Sequence, residues 1–180
     1  MMKLAPFAAL ALTVMLATPA AAQVSGQAFS GFSGNSKDPI AIEADQLEVI
    51  DGEAQAVFSG NVKIRQGTSL ITTSKLVVHY VKDATKPEGS DAAPGQNDIE
   101  RLDLTGGVVA TSKENTATAD SGVYLVKTDQ ITLDGNVVIS QGGSVAKGCK
   151  LRANLKTNVA KLDSCAGGRV QSVFVPGSDG

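Results

Sequence analysis

The chain has 180 residues, 42% of them apolar but only 4% aromatic, with no tryptophan and a formal charge of −2. That length fits one domain. The near-neutral balance argues against nucleic acid as a partner, which would need a basic surface.

The first residues read as an export signal. Met1-Met2-Lys3 is a short positive start, Leu4 to Ala17 is apolar, and Thr18-Pro19-Ala20-Ala21-Ala22 ends in a small-residue Ala-x-Ala site. This predicts a signal peptide over residues 1–22, cleaved after Ala22. The alternative is an uncleaved anchor, and the run is short for a membrane-spanning helix. No cysteine follows the site, which argues against a lipid anchor. Without Lys3 the mature chain carries 15 basic and 18 acidic residues, a charge of −3. Residues 23–39, rich in Ser and Gly, read as a flexible leader that holds Phe29 and Phe32.

Ordered structure is expected from Ile40 to Pro176, with a short tail at 177–180. Ile40-Ala41-Ile42-Glu43-Ala44 alternates, Asp45-Gln46 shifts the phase, and Leu47-Glu48-Val49 resumes in a new register, as a bulge or sheet corner would produce. Asp51-Gly52 is a turn signal. A strand over Ala56–Gln66 follows, then a kinked one over Ser69–Val81. Lys82 to Asp98 has no apolar period and reads as an exposed loop. Strands are predicted again at Ile99–Thr111, at Ala117–Tyr124 with a kink, and at Gln130–Gln141. Val145–Leu155 and Val159–Asp163 form a hairpin turning at Lys156-Thr157-Asn158. A last strand runs from Arg169 to Val175 and stops at Pro176-Gly177. No segment beyond the signal has a helical period, so the fold class is all-β: a sandwich, barrel or solenoid.

One pattern occurs three times in these strands: Phe58-Ser59-Gly60-Asn61-Val62-Lys63-Ile64, Leu104-Thr105-Gly106-Gly107-Val108-Val109-Ala110 and Leu133-Asp134-Gly135-Asn136-Val137-Val138-Ile139. A large apolar residue stands two before a glycine, valine two after it, and an aliphatic residue two further on. A spacing of two puts these side chains on one strand face. The glycine leaves a gap in that row, which allows a bulge or a close backbone approach. Phe58, Val62, Ile64, Leu104, Val108, Leu133, Val137 and Ile139 are therefore either ordinary core or the lining of an apolar groove. One-sided apolar strands usually face a packed core.

Chemistry of the enzymatic kind finds little support. His79 is the single histidine and has no partners at metal or triad spacing. Asp45, Asp51, Asp103, Asp120 and Asp134 fall mostly at turns or kinks, where they are expected to bond to nearby backbone amides. No calcium loop and no phosphate cradle is present. Cys149 and Cys165 are the two cysteines of an exported chain and flank the hairpin, so a disulfide between them is expected. They are symmetric about Thr157, whereas the apolar alternation prefers a register one residue away. In an open stack the terminal strands, 40–49 and 169–175, expose unpaired backbone. Ile40, Ile42, Val173 and Val175 are the candidate contacts of those edges.

At this point the residues resemble a known family. Ile42-Glu43-Ala44-Asp45-Gln46-Leu47 looks like the opening "I-x-A-D-x-L" strand of the OstA-like (LptA) family. Phe58-Ser59-Gly60-Asn61-Val62 and Leu133-Asp134-Gly135-Asn136-Val137 are similar to its "x-x-G-N-V" strands. The segment from Leu151 to Leu162 resembles its closing hairpin, and Gly168-Arg169-Val170 with Val173-Phe174-Val175-Pro176 resembles its usual ending. Asn158 departs from the family's glycine in the last turn, and the loop at 82–98 looks like an insertion. The cysteine pair is not a general family feature.

The resemblance implies an open, slightly twisted β-jellyroll with an apolar interior groove. It implies a non-enzymatic periplasmic bridge protein, without cofactor or metal, that carries lipopolysaccharide from the inner to the outer membrane and shields lipid A acyl chains. Its implied partners are lipopolysaccharide, an LptC-like inner-membrane protein, an LptD-like outer-membrane protein and further copies of itself, end to end. The residues leave two rivals. A polysaccharide-acting β-helix enzyme would need clustered acidic and basic groups. A structural or adhesive module of stacked β-layers would need a uniform repeat, whereas the glycines at 60, 106 and 135 lie 46 and then 29 positions apart.

Overall fold

The computed structural model describes residues 37–81, 99–113 and 115–175. The signal peptide, most of the leader, the 82–98 loop and the 177–180 tail lie outside the described residues. Ten strands form one antiparallel sheet: β1 Ala41–Glu43, β2 Gln46–Ile50, β3 Gln55–Gln66, β4 Ser69–Tyr80, β5 Ile99–Ser112, β6 Asn115–Leu125, β7 Gln130–Gln141, β8 Ser144–Asn154, β9 Val159–Asp163 and β10 Gln171–Val173. The one helical element among the described residues is a 3-10 turn at Asp51–Glu53. It stands where Asp51-Gly52 signals a turn.

Neighbours in sequence are neighbours in the sheet, from β3 through β8. At each end the sheet closes with two half-length strands. β1 and β2 both pair with β3, and β9 and β10 both pair with β8.

Each long strand bends in its middle, and the bends line up. Pairing shifts at Ser59/Val62, Thr72/Lys75, Thr105/Val108, Thr118/Ser121 and Asp134/Val137. The three glycine motifs sit on this line. Gly60-Asn61, Gly106-Gly107 and Gly135-Asn136 all have positive φ, between 44° and 84°. Two successive left-handed residues suit Gly and Asn, which lose little there. Asp45 fills the corner against Gly60, Ser74 against Gly106, and Asp120 against Gly135. Asn61 Nδ2 donates to Asp45 Oδ2 at 2.8 Å and Asn136 Nδ2 to Asp120 Oδ2 at 2.9 Å. Asp45 and Asp120 thus accept from asparagine side chains rather than from backbone amides, because the corner brings those amides across the strand gap.

The corner divides the sheet into two half-sheets. Their inner faces are buried in one cluster that draws on both, from Leu76, Leu104 and Leu133 of the first half to Val62, Ile64 and Ile139 of the second. A single flat sheet would leave that face in water, so the halves fold against each other. All the buried leucines lie in the first half, whereas the second contributes only Ala, Val and Ile.

Candidate functional site

The inner face is built from rows of side chains that cross the whole sheet. Pairing links Leu47 to Phe58, Leu76, Leu104, Gly122, Leu133, Leu151 and Leu162 in one unbroken row. Gly122 is the one gap, and Leu133 Cδ2 would stand 2.8 Å from any Cβ placed there. A parallel row runs Val49, Ala56, Val78, Leu102, Tyr124, Ile131, Ala153 and Ala160. Beyond the corner a third passes from Ile42 through Ile64, Ile71, Ala110, Ala117 and Ile139 to Ala146.

All eight residues singled out by the repeat face inward. Val62, Ile64, Leu104, Val108, Leu133, Val137 and Ile139 are buried, and Phe58 is partly buried against the cluster. The half-sheets are packed together over them, so in this structure they form a core.

One lip of this interior is polar. Gln66, Ser69 and Ser112 are buried in a row across the second half-sheet, where Ser69 Oγ lies 3.0 Å from Ser112 Oγ. At the other lip Tyr124 Oη donates to Asp129 Oδ1 at 2.7 Å.

Two of the rows end in water at the first edge, whereas at the far edge their last residues, Leu162 and Ala160, are partly buried against the core. Leu47 is 52% exposed and Val49 46%, although both belong to the inward rows, because no further strand covers them. At the far edge Val159, Val170, Val173, Phe174 and Val175 are exposed. Ile40 and Ile42 are partly buried against the core, so the open apolar residues of the first edge are Leu47 and Val49. Their signal was the resumed alternation Leu47-Glu48-Val49, but exposure depends on a missing neighbour, which alternation does not record. Val173 stands in β10 opposite Val145. Val175 lies just past the strand and donates its N–H to Ser144 Oγ at 3.1 Å.

The second edge is stapled. Cys149 and Cys165 are joined by a disulfide with Cα atoms 4.8 Å apart. The hairpin adopts the register of the apolar alternation, with Leu151 opposite Leu162 and Lys150 opposite Asp163. β9 ends at Asp163, so Ser164 leaves the ladder and Cys165 reaches Cys149 from outside it. Asn158 has φ 55°; asparagine tolerates this region, which lets it stand where the family often has glycine.

Polar groups on the outer face are paired along and across strands. His79 Nε2 lies 2.9 Å from Asp103 Oδ2, and Arg101 Nε donates to Asp103 Oδ1 at 2.6 Å. Lys150 pairs with Asp134 at 2.7 Å. Lys161 and Arg152 both hold Asp163, and the hydrogen bond from Lys161 leads in keeping that carboxyl below the usual range.

A long antiparallel sheet bent along one line, apolar inside and open at both ends, defines the OstA-like β-jellyroll class. The chain belongs to the family described as "LptA/(LptD N-terminal domain) LPS transport protein", which matches residues 41–159. It is 36% identical over 165 residues to an uncharacterised protein of Rhizobium meliloti (strain 1021), covering 91% of this chain and 86% of that one. It is 30% identical over 145 residues to the lipopolysaccharide export system protein LptA of Escherichia coli (strain K12), covering 80% of this chain and 75% of that one. Its fold is similar to the crystal structure of LptH from Pseudomonas aeruginosa, the LptA-homologous periplasmic component of the lipopolysaccharide transport device. The TM-score is 0.63 at 19% identity, over 78% of this chain and 97% of that one.

Proposed function

We propose that this chain is a periplasmic carrier that passes lipopolysaccharide from the inner to the outer membrane, with the acyl chains of lipid A shielded between its two half-sheets. The observation that carries this reading is the set of apolar rows that run from one edge to the other and are exposed at Leu47 and Val49. Each buried methylene of a saturated chain contributes about 0.8 kcal/mol, with no directional preference. A chain held in such rows can slide without a large barrier. Since the eight inward residues are packed in the free protein, loading requires the half-sheets to part at the lips, opposite the corner that joins them. The sugars would stay in solvent. The signal at 1–22 would deliver the protein to the periplasm, and energy input would come from partners.

The test is site-specific photo-crosslinking in cells. A photoreactive residue at Val62 or Ile139 should capture lipopolysaccharide, whereas one at Lys63 or Val138, on the outer face, should not. Equal capture at both pairs would defeat the groove.

The two edges would join copies end to end, with an LptC-like protein at the β1–β2 edge and an LptD-like protein at the β9–β10 edge. Unpaired edge strands with exposed apolar side chains recruit strands. Replacing Val173 with proline removes a backbone donor in β10, which has three residues. V173P should abolish concentration-dependent oligomers in light scattering while the monomer stays folded. Oligomers that persist unchanged would exclude this edge.

A further inference from the structure

We propose that one register joins the β9–β10 edge of one copy to the β1–β2 edge of the next, and that Glu48 and Lys161 select it. This rests on the end-to-end reading above and adds what decides the pairing.

The rows supply the argument. Glu48 begins the outward row that passes Val57, Val77, Asp103, Val123, Thr132 and Arg152 and ends at Lys161. The inward row on one side of it begins at Leu47 and ends at Leu162; the one on the other side begins at Val49 and ends at Ala160. Strand direction alternates through the sheet, so β2 of a second copy meets β9 antiparallel. If that pairing continues the rows, Leu47 meets Leu162, Glu48 meets Lys161 and Val49 meets Ala160 together. β1 then meets β10 in the matching register, with Ile42 opposite Ser172 and Ala41 opposite Val173. Both half-strands can pair at once because each edge is interrupted at the corner, by 44–45 on one side and 164–170 on the other. The Cys149–Cys165 disulfide ties the second interruption to β8.

Charge distinguishes this register from its neighbours. Glu48 is exposed and makes no ion pair among the described residues. Lys161 and Arg152 share the single carboxylate of Asp163, so that edge carries one cation more than its own acid neutralises. Slips must be by two residues, since a slip of one would turn the apolar rows outward. A slip in one direction sets Glu48 opposite Asp163, two like charges. A slip in the other sets Glu48 against Val159 and trades Leu162 for Ala160 as the partner of Leu47.

The experiment is sedimentation velocity on the mature full-length protein over a concentration series, at low and high salt. E48K or K161E alone should raise the concentration for half-association about fivefold at low salt, a gap that closes at high salt. The double variant E48K/K161E restores the pair with its signs exchanged and should return to within about twofold of the original. Melting curves confirm that each variant is folded, and E48Q and K161Q serve where a reversed charge unfolds the edge. Suppose the parent associates, V173P does not, and the single variants match the parent or the double variant stays as weak as they are. Then this register is wrong while end-to-end assembly stands. A parent protein that stays monomeric at every concentration overturns both.

Discussion

Replacing Gly135 with alanine should cost about 2–4 kcal/mol and lower the melting temperature by about 10 °C. Two causes add. Gly135 has φ 78°, a conformation that burdens any residue with a Cβ. The new Cβ would also stand 2.8 Å from Asp120 Cβ, with the carboxylate nearer still. Asp120 is short and its own Cβ is in the way, so no rotation clears the space; the corner has to open. Removing Asp120 alone loses its bond to Asn136 and should cost about 1 kcal/mol. The double variant G135A/D120A should then fall short of the sum of the singles, because the steric part of the damage needs both side chains. Thermal or urea unfolding of the four proteins checks it. Strict additivity would mean that the cost lies in φ alone and that the contact across the corner is unimportant.

Removing the disulfide, as C149S/C165S, should cost about 3 kcal/mol in the chain-entropy model, since the two cysteines are 16 positions apart. The loss should also be local. Cys165 ties the end of β9 and the turn closed by Gly168 N–H to Cys165 O, at 2.9 Å, to the corner of β8. Hydrogen exchange should rise most in β9 and β10 and least in β5, which has full-length neighbours on both sides. Unfolding with and without reductant gives the same comparison on the parent protein. A uniform rise across all strands would show that the cystine acts on the whole domain and not on the edge.

Much of the strand plan could be read locally. Alternation is a property of consecutive residues, so the inward faces of β3, β5 and β7 were visible in the three repeats. The glycine of each repeat marked a gap that allows a bulge or a close backbone approach, and the structure has both there, with positive φ at each glycine and Asp45, Ser74 or Asp120 set against Gly60, Gly106 or Gly135. The phase shift at Asp45-Gln46 marks the break between β1 and β2, and Lys156-Thr157-Asn158 is the turn between β8 and β9.

Partners across strands were not readable in the same way. The two explanations offered for Cys149 and Cys165, symmetry about the turn and apolar alternation, conflicted by one residue. The structure keeps the register of the alternation and still forms the disulfide, because β9 ends at Asp163 and Cys165 returns from outside the ladder. The aspartates show the same limit. Asp45 and Asp120 meet Asn61 and Asn136, and Asp103 meets His79, pairings that exist only once the strands are in register.

By itself the sequence determined the all-β class, the inward face of each repeat, the glycine gap in each repeat where a bulge can form, and the family through its ordered motifs, because each depends on short-range spacing; that the bends fall on one line was decided by the register of the strands. Tertiary structure alone decided that the rows join into continuous lines from Leu47 to Leu162, and that the eight repeat residues are packed rather than open. It also decided that the exposed apolar side chains of the first edge are Leu47 and Val49 rather than Ile40 and Ile42. Burial is set by which strands stand beside and opposite a residue, and those neighbours are distant in the chain.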